Sequence, residues 1–320
     1  MKFVFLFSGQ GAQFKGMAED ICKLYPAARS VVDEMSSITG EDIASFLWNT
    51  ENAELARSDK SQLAITAVET AICAVLKENG ILPSAAAGFS LGEFSALYAA
   101  GVLNFKTMTE IVMRRGKIMQ KWCEKISAGD SAGGMAAVIK LPSEKVCELL
   151  KPYSDTEKGI VFAANMNSPA QTVVSGTAEG LDIAEKICKE AGAKRFVKLS
   201  VAGPFHSPLM RNAAKEFAEV LESVTFEDPK IPLFSNVTGK RILTGAEAKK
   251  NAVLHLTYPV LWVNEEKEVS ELAAGEESRL LEIGPGNTLC NLWRDSGYAG
   301  TCLPTGTSEH LSEIIKTFKV

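Results

Sequence analysis

The chain opens on "KFVFLF", an unbroken apolar run backed by a polar loop, "SGQGAQ". A run of that length without alternation predicts a strand buried on both faces. Past the loop, apolar positions recur at helical spacing from about Met17 to Met35. "SQLAITAVETAICAVLKENG" keeps the same spacing and stops at Gly80, a normal helix terminator. A short strand of small residues then leads into Ser90, with a helix directly beyond it and another across "FKTMTEIVMRRGKIMQKWCEK". Strands alternating with helices predict an α/β layer structure around a largely parallel sheet.

The texture changes at "ISAGDSAGG", residues 126–134, a glycine- and serine-rich joint that marks a boundary. Beyond it "MAAVIKL" predicts a strand, "PSEKVCELLKPY" a helix, and "IVFAANMN" and "QTVVSG" two more strands. "AEGLDIAEKICKEAG" is an amphipathic helix and "KRFVKLSV" a last strand. The order β-α-β-β-α-β is the ferredoxin-like arrangement. The expected division is therefore a small inserted domain over 133–199 within a core made of 1–132 and 200–320. The core pattern resumes with "IPLFSNVTG", "PVLWVNEEKEVSELAAG" and "RLLEIGPG", and the segment around His310 reads as a polar C-terminal tail.

Composition narrows the class. An apolar fraction of 46% and a charged fraction of 23% over 320 residues are those of an ordinary globular protein with a large core. The 34 basic and 39 acidic residues are well mixed, and no basic arm or stripe suggests nucleic acid as a ligand. Seven cysteines without a Cys-x-x-Cys pair look like reduced thiols, spread too widely for a metal cluster. The first apolar run ends at Phe7 with no small-residue cleavage site behind it, so a core strand is a better reading than a signal peptide. No stretch approaches the length of a membrane span.

The chemistry centres on "AAAGFSLGEFSALYAAG", where Ser90 stands between Gly88 and Gly92 as a strand hands over to a helix. That is the pattern of a nucleophile elbow, whose strained turn pushes a serine Oγ into a cleft. Gly-x-Ser-x-Gly alone arises by chance in on the order of one chain in ten of this glycine content, so other residues must support it. A serine nucleophile needs a base, and of the three histidines His206 lies after a Gly-Pro turn in "VAGPFHSPLM", where a strand gives way to a helix. The first loop fits neither a dinucleotide fingerprint, because Phe14 occupies the third position, nor a P-loop, because Met17 and Ala18 replace its Lys-Ser/Thr pair. What it offers is the backbone N–H of Gln10, which can form an oxyanion hole with that of Leu91, the residue after the serine. Arg115, in "VMRRGKIMQ" on a helix expected to end near a glycine, carries a guanidinium suited to bidentate pairing with a carboxylate on the acyl group.

Taken together, "FSGQGAQ", "GFSLGEFSALYAAG", "RRGKIMQ", "ANMNSPAQTVVSG", "VAGPFHSPLM", "FSNVTG", "PVLW" and "EIGPGNTL" resemble the malonyl-CoA:acyl carrier protein transacylase family, in order from about residue 3 to 290. The resemblance implies an α/β-hydrolase-like core with a ferredoxin-like small domain. It implies malonyl transfer from malonyl-CoA to Ser90 and then to the phosphopantetheine thiol of an acyl carrier protein, in fatty-acid biosynthesis. His206 is then the base, Gln10 and Leu91 the oxyanion hole, and Arg115 the grip on the malonyl carboxylate. Phe205 would narrow the acyl pocket in favour of malonyl. A thioester and a thiol are close in energy, so a covalent relay needs no cofactor and no metal. The expected partners are a coenzyme A thioester and an acyl carrier protein, met by a cytoplasmic monomer that binds neither nucleic acid nor membrane.

Two positions depart from the family pattern. Phe89 stands where the family usually has histidine, and His255 where it usually has the glutamine whose backbone carbonyl orients the base. A carbonyl comes with any residue, so the expectation for His255 is a backbone contribution. Lys194, Arg195 and Arg211 are the basic residues expected to meet an acidic carrier protein. A serine hydrolase or a polyketide-pathway acyltransferase would share the elbow and the histidine; the first would not need Arg115.

Overall fold

A computed structural model describes residues 1–128, 133–154, 159–274 and 278–319. Its strands are β1 (Lys2–Phe7), β2 (Pro83–Gly88), β3 (Gly133–Ile139), β4 (Val161–Ser168), β5 (Gln171–Thr177), β6 (Arg195–Lys198), β7 (Leu233–Phe234), β8 (Arg241–Ile242), β9 (Ser278–Ile283) and β10 (Cys302–Pro304). They form two sheets. The larger has the order β10-β9-β1-β2-β7-β8 and is parallel from β10 to β7, with β8 antiparallel at its edge. The smaller, β4-β5-β3-β6, is antiparallel throughout.

In β1 the side chains of Phe3, Phe5 and Phe7 enter one apolar core and those of Val4 and Leu6 another on the opposite face. That two-sided burial is why the strand has no polar alternation. The helix Ser58–Glu78 is buried almost all round, the signature of a helix inside a core and not on its surface. The small sheet divides its faces differently. Ala136, Val138 and Val174 pack with Leu150, Leu181 and Ala184 of the helices Ser143–Ser154 and Ala178–Glu190, while Met135, Ala137 and Val173 face the main core. Edge strand β4 is tied to the larger unit, with Met166 N–H donating to the Val260 carbonyl (2.9 Å) and Val260 N–H to the Ala164 carbonyl (2.8 Å).

Three sequence expectations need correction. The helix expected over Met17–Met35 is two, Glu19–Leu24 and Pro26–Thr39, because Pro26 starts a new helix and Tyr25 before it is extended. The helix carrying Arg115 does not end near a glycine; it runs from Phe105 to Ser127 straight through Gly116. The segment expected as a polar tail forms β10 and the amphipathic helix Ser308–Phe318, which buries Leu311 and Ile314. Part of the expected joint at 126–134, residues 129–132, lies outside the described residues.

Candidate active site

The site lies at the carboxyl ends of the parallel strands, between the two sheets. Strands β1 and β2 run in register to Phe7 and Gly88, and Phe89 N–H donates to the Phe7 carbonyl at 2.8 Å. The chain then turns sharply through Ser90, which takes φ 52°, a left-handed conformation rare for a residue with a Cβ. Both flanking glycines are required by close approach. A Cβ on Gly88 would lie 2.1 Å from the Gly92 carbonyl, and one on Gly92 would lie 2.3 Å from the Phe7 carbonyl oxygen. The turn therefore holds Ser90 at the head of the helix Gly92–Ala99.

Opposite it, His206 sits in the loop before the short turn Pro208–Met210 and is itself left-handed, φ 55°. Its Nε2 is 2.8 Å from Ser90 Oγ and its Nδ1 is 2.8 Å from the backbone oxygen of His255. A carbonyl only accepts, so Nδ1 carries the proton and the Nε2 lone pair faces the serine hydroxyl. Burial, helped by the charge of Arg115, pushes His206 down to about 4, so the ring is neutral at pH 7. A neutral imidazole aimed at a serine can accept its proton and return it to a leaving group.

The N–H groups of Gln10 and Leu91 donate to no group among the described residues, and Gln10 lines the cavity in front of Ser90. The Gln10 side chain turns away to the Ala56 carbonyl and Ser58 Oγ. The cavity has a volume of about 250 Å³, and its lining includes Phe89, Phe205, Met119, Ala137, Asn165 and Asn167. Phe89 fills the place of the usual polar residue by packing edge-on against Trp262, 5.4 Å between ring centres.

Arg115 lines the same cavity and is 1% exposed. Its Nη1 donates to Gln62 Oε1 at 2.8 Å and its guanidinium lies over the Phe94 ring, 5.2 Å from the centroid. Nε and Nη2 have no partner, and no carboxylate among the described residues pairs with it. Burial lowers it to about 10, which leaves it charged, and the nearby Glu93 carboxyl is pushed up by burial to about 7. Two donor atoms on one guanidinium that no protein group uses, at the wall of a cavity, are suited to receive the two oxygens of an anion. Arg114 next to it is exposed.

Sequence reasoning assigns no role to Asn236. It follows β7 and lies beneath the elbow, where its Oδ1 accepts the Ser90 N–H at 2.6 Å and its Nδ2 donates to the Gly88 carbonyl at 2.6 Å and to Glu265 Oε1 at 2.9 Å. Its place in "FSNVTG", just past a strand that pairs with β2, is the signal that could have found it, since sites in parallel sheets gather at strand carboxyl ends. Gln62, the partner of Arg115, carries no such signal. His310 is remote, in the C-terminal helix, while Lys194, Arg195 and Arg211 are all exposed.

The acyl transferase domain family matches residues 4–299. The malonyl CoA-acyl carrier protein transacylase of Bacillus subtilis is 36% identical over 321 residues, covering 99% of this chain and 98% of its own. Among solved structures, a malonyl-transacylase in complex with its type II PKS acyl-carrier protein is 33% identical with a TM-score of 0.91, covering 99% of this chain and 100% of its own. The MCAT from Streptococcus pneumoniae is 33% identical with a TM-score of 0.90, with the same coverage of 99% and 100%.

Proposed function

The chain belongs to the acyl transferase domain family, and from that membership we infer that it transfers malonyl from malonyl-CoA to the phosphopantetheine thiol of an acyl carrier protein, with Ser90 as the relay. The observation that carries the substrate assignment is Arg115, buried with Nε and Nη2 unpaired at the wall of the cavity that holds Ser90 and His206. A malonyl carboxylate supplies the missing anion. In the first half-reaction Ser90 Oγ attacks the thioester carbonyl as His206 Nε2 takes its proton. The N–H groups of Gln10 and Leu91 hold the oxyanion, and the complex collapses by breaking the C–S bond, with the coenzyme A sulfur taking the proton from Nε2. The carrier thiol then gives its proton to Nε2, attacks the malonyl-serine ester, and Ser90 leaves with the proton restored. The His255 carbonyl keeps His206 in the one tautomer that can do both.

A thioester and a thiol are close in energy and the relay through Ser90 transfers no electrons between oxidation states, which supports a reaction without metal or cofactor. The unpartnered Oδ1 atoms of Asn165 and Asn167 suit the amide N–H groups of a pantetheine arm, and Phe205 narrows the acyl end. We place the step in fatty-acid synthesis, in the cytoplasm, carried out by a monomer. We read the larger sheet as an α/β-hydrolase-like core, supported by the elbow at the end of β2. The antiparallel order β4-β5-β3-β6, with its two helices on one face, supports a ferredoxin-like small domain over 133–199 inserted between core segments 1–132 and 200–320.

One experiment tests the serine and the arginine together. Intact-mass measurement after mixing with malonyl-CoA should show one malonyl adduct in the wild type and none in Ser90→Ala. In Arg115→Ala, malonyl loading should fall by about two to four orders of magnitude, because a buried anion without its partner costs roughly 3–5 kcal/mol. Acetyl loading, which lacks the carboxylate, should be kept or gained. An adduct persisting in Ser90→Ala, or equal losses of malonyl and acetyl loading in Arg115→Ala, would overturn the assignment.

A further inference from the structure

His255 holds the base with its backbone, and its side chain makes a second contact in the same site. The imidazole is fully buried, with its ring centre 5.0 Å from that of His206. Its Nε2 lies 3.0 Å from Asn236 Oδ1. The orientation of that amide is fixed by groups whose roles are beyond choice. The Ser90 backbone N–H can only donate, so the atom it meets at 2.6 Å is Oδ1. The Gly88 carbonyl can only accept, so the atom it meets at 2.6 Å is Nδ2. Oδ1 therefore faces His255, and Nε2 must carry the proton that it donates there. His255 Nδ1 has no partner, which leaves the ring neutral and in a single tautomer. Burial, followed by repulsion from His206 whenever that ring is protonated and by the charge of Arg115, holds His255 well below its usual value, in the same sense.

The connections close a loop. Asn236 grips the elbow on both sides of Phe89, through Gly88 and Ser90, and its own N–H is anchored on Glu93 Oε2 at 2.9 Å. The His255 side chain holds the amide of Asn236, and the His255 carbonyl holds Nδ1 of His206. One residue thus reaches the nucleophile through its side chain and the base through its main chain. Ser90 is in a left-handed conformation that relaxes unless its surroundings hold it. The geometry points to His255 as a positioning residue whose imidazole N–H, acting through Asn236, fixes the strained Ser90 turn relative to His206. This rests on the reading of Ser90 and His206 as the acyl-transfer pair, and extends it to a side chain that touches neither the acyl group nor the reacting atoms.

The test measures the rate of malonyl-adduct formation on Ser90 over a range of malonyl-CoA concentrations. His255→Leu keeps the carbonyl and most of the volume but removes the donor. Its maximal loading rate should fall by about ten- to a hundred-fold, the scale expected when a buried acceptor loses one of its donors, while the half-saturating malonyl-CoA concentration should stay within about two-fold. His255→Gln restores an N–H donor that reaches Asn236 and should recover most of the lost rate. In Asn236→Ala the side chain of His255 has nothing to hold, so adding His255→Leu should cost little more, a non-additive pair. His255→Met supplies a second non-donor should the leucine variant not fold. Wild-type loading in the non-donor variants, equal losses in the glutamine and leucine variants, or additive losses in the double variant would each overturn the proposal. Failure of the parent reading looks different, because then no adduct forms on Ser90 in the wild type at all.

Discussion

At the scale of single residues, the protonation of His206 makes a sharp prediction. Burial first, then the charge of Arg115, lowers the ring from its ordinary 6.5 to about 4. In the proposed role of base His206 acts only when unprotonated, so Ser90 loading per unit of malonyl-CoA should be flat above about pH 5 and fall below it with a midpoint near 4. Removing Arg115 takes away the second cause and leaves the first. In Arg115→Ala the acid limb, followed with acetyl-CoA, should therefore move to higher pH without reaching an exposed histidine's value. A midpoint of 6.5 in the wild type would contradict burial as the main cause, and no movement in the variant would remove Arg115 as the second. Ser90, His206 and Arg115 were legible in the sequence because each carries its chemistry in its residue type and a local motif. Asn236 was not, since its meaning lies in contacts with Gly88 and Ser90 that are 148 and 146 residues away along the chain. The side chain of His255 was invisible for the same reason: sequence offered its carbonyl, and only the fold places its ring against Asn236.

At the scale of elements, Arg115 is delivered by one helix and held by another. The helix Phe105–Ser127 packs against Ser58–Glu78, which carries Gln62, and Gly116 lies tight against the first residues of that helix. A Cβ there would lie 2.6 Å from the Ser58 carbonyl oxygen and 3.3 Å from Asp59 Cα, both backbone atoms that move only with their helix. Gly116→Ala gains about 1 kcal/mol of helix propensity, but overpacking costs typically 1–3 kcal/mol. The expected outcome is a lower Tm, together with a malonyl-CoA KM raised more than that for acetyl-CoA as Arg115 and Gln62 part. A Tm at or above wild type would show that the helices give way freely. In sequence this glycine suggests a helix end, because glycine marks an end and a close crossing alike. Amphipathic spacing around Met17–Met35 likewise hides the break at Tyr25–Pro26, where proline serves as a first helical residue. The unbroken apolar run locates β1 well, since burial on both faces leaves it no polar alternation, whereas β10, at three residues, is hidden in what reads as a polar tail. β7 and β8, at two residues each, are too short to carry a period.

At the scale of the whole molecule, the partner has to be met from the rim of a cleft between two sheets. A carrier protein is acidic and this chain carries a net charge of -5, so approach depends on where basic residues stand and not on their sum. The three basic residues singled out from the sequence separate in the fold. Arg211 borders a surface groove of about 410 Å³ whose lining also includes His206, Pro208 and Tyr258. Lys194 and Arg195 lie at the other end of β6, beside Ile139, whereas the cavity is lined at the Leu199 end, roughly 13 Å away at about 3.3 Å per residue. None of the three is in an ion pair among the described residues, while Lys198 between them is paired with Asp182. Arg211→Glu should therefore raise the KM for carrier protein by about five- to ten-fold and steepen with falling salt, as a rim charge acts mainly on encounter. Loading from malonyl-CoA alone should hardly change, because Arg211 does not line the acyl cavity. Lys194→Glu and Arg195→Glu should each have a clearly smaller effect. If the two β6 variants weaken carrier use as much as Arg211→Glu, the docking surface runs along the small sheet and not across the mouth at His206. If Arg211→Glu slows loading from malonyl-CoA to the same degree as transfer to the carrier, its charge serves the coenzyme A thioester instead.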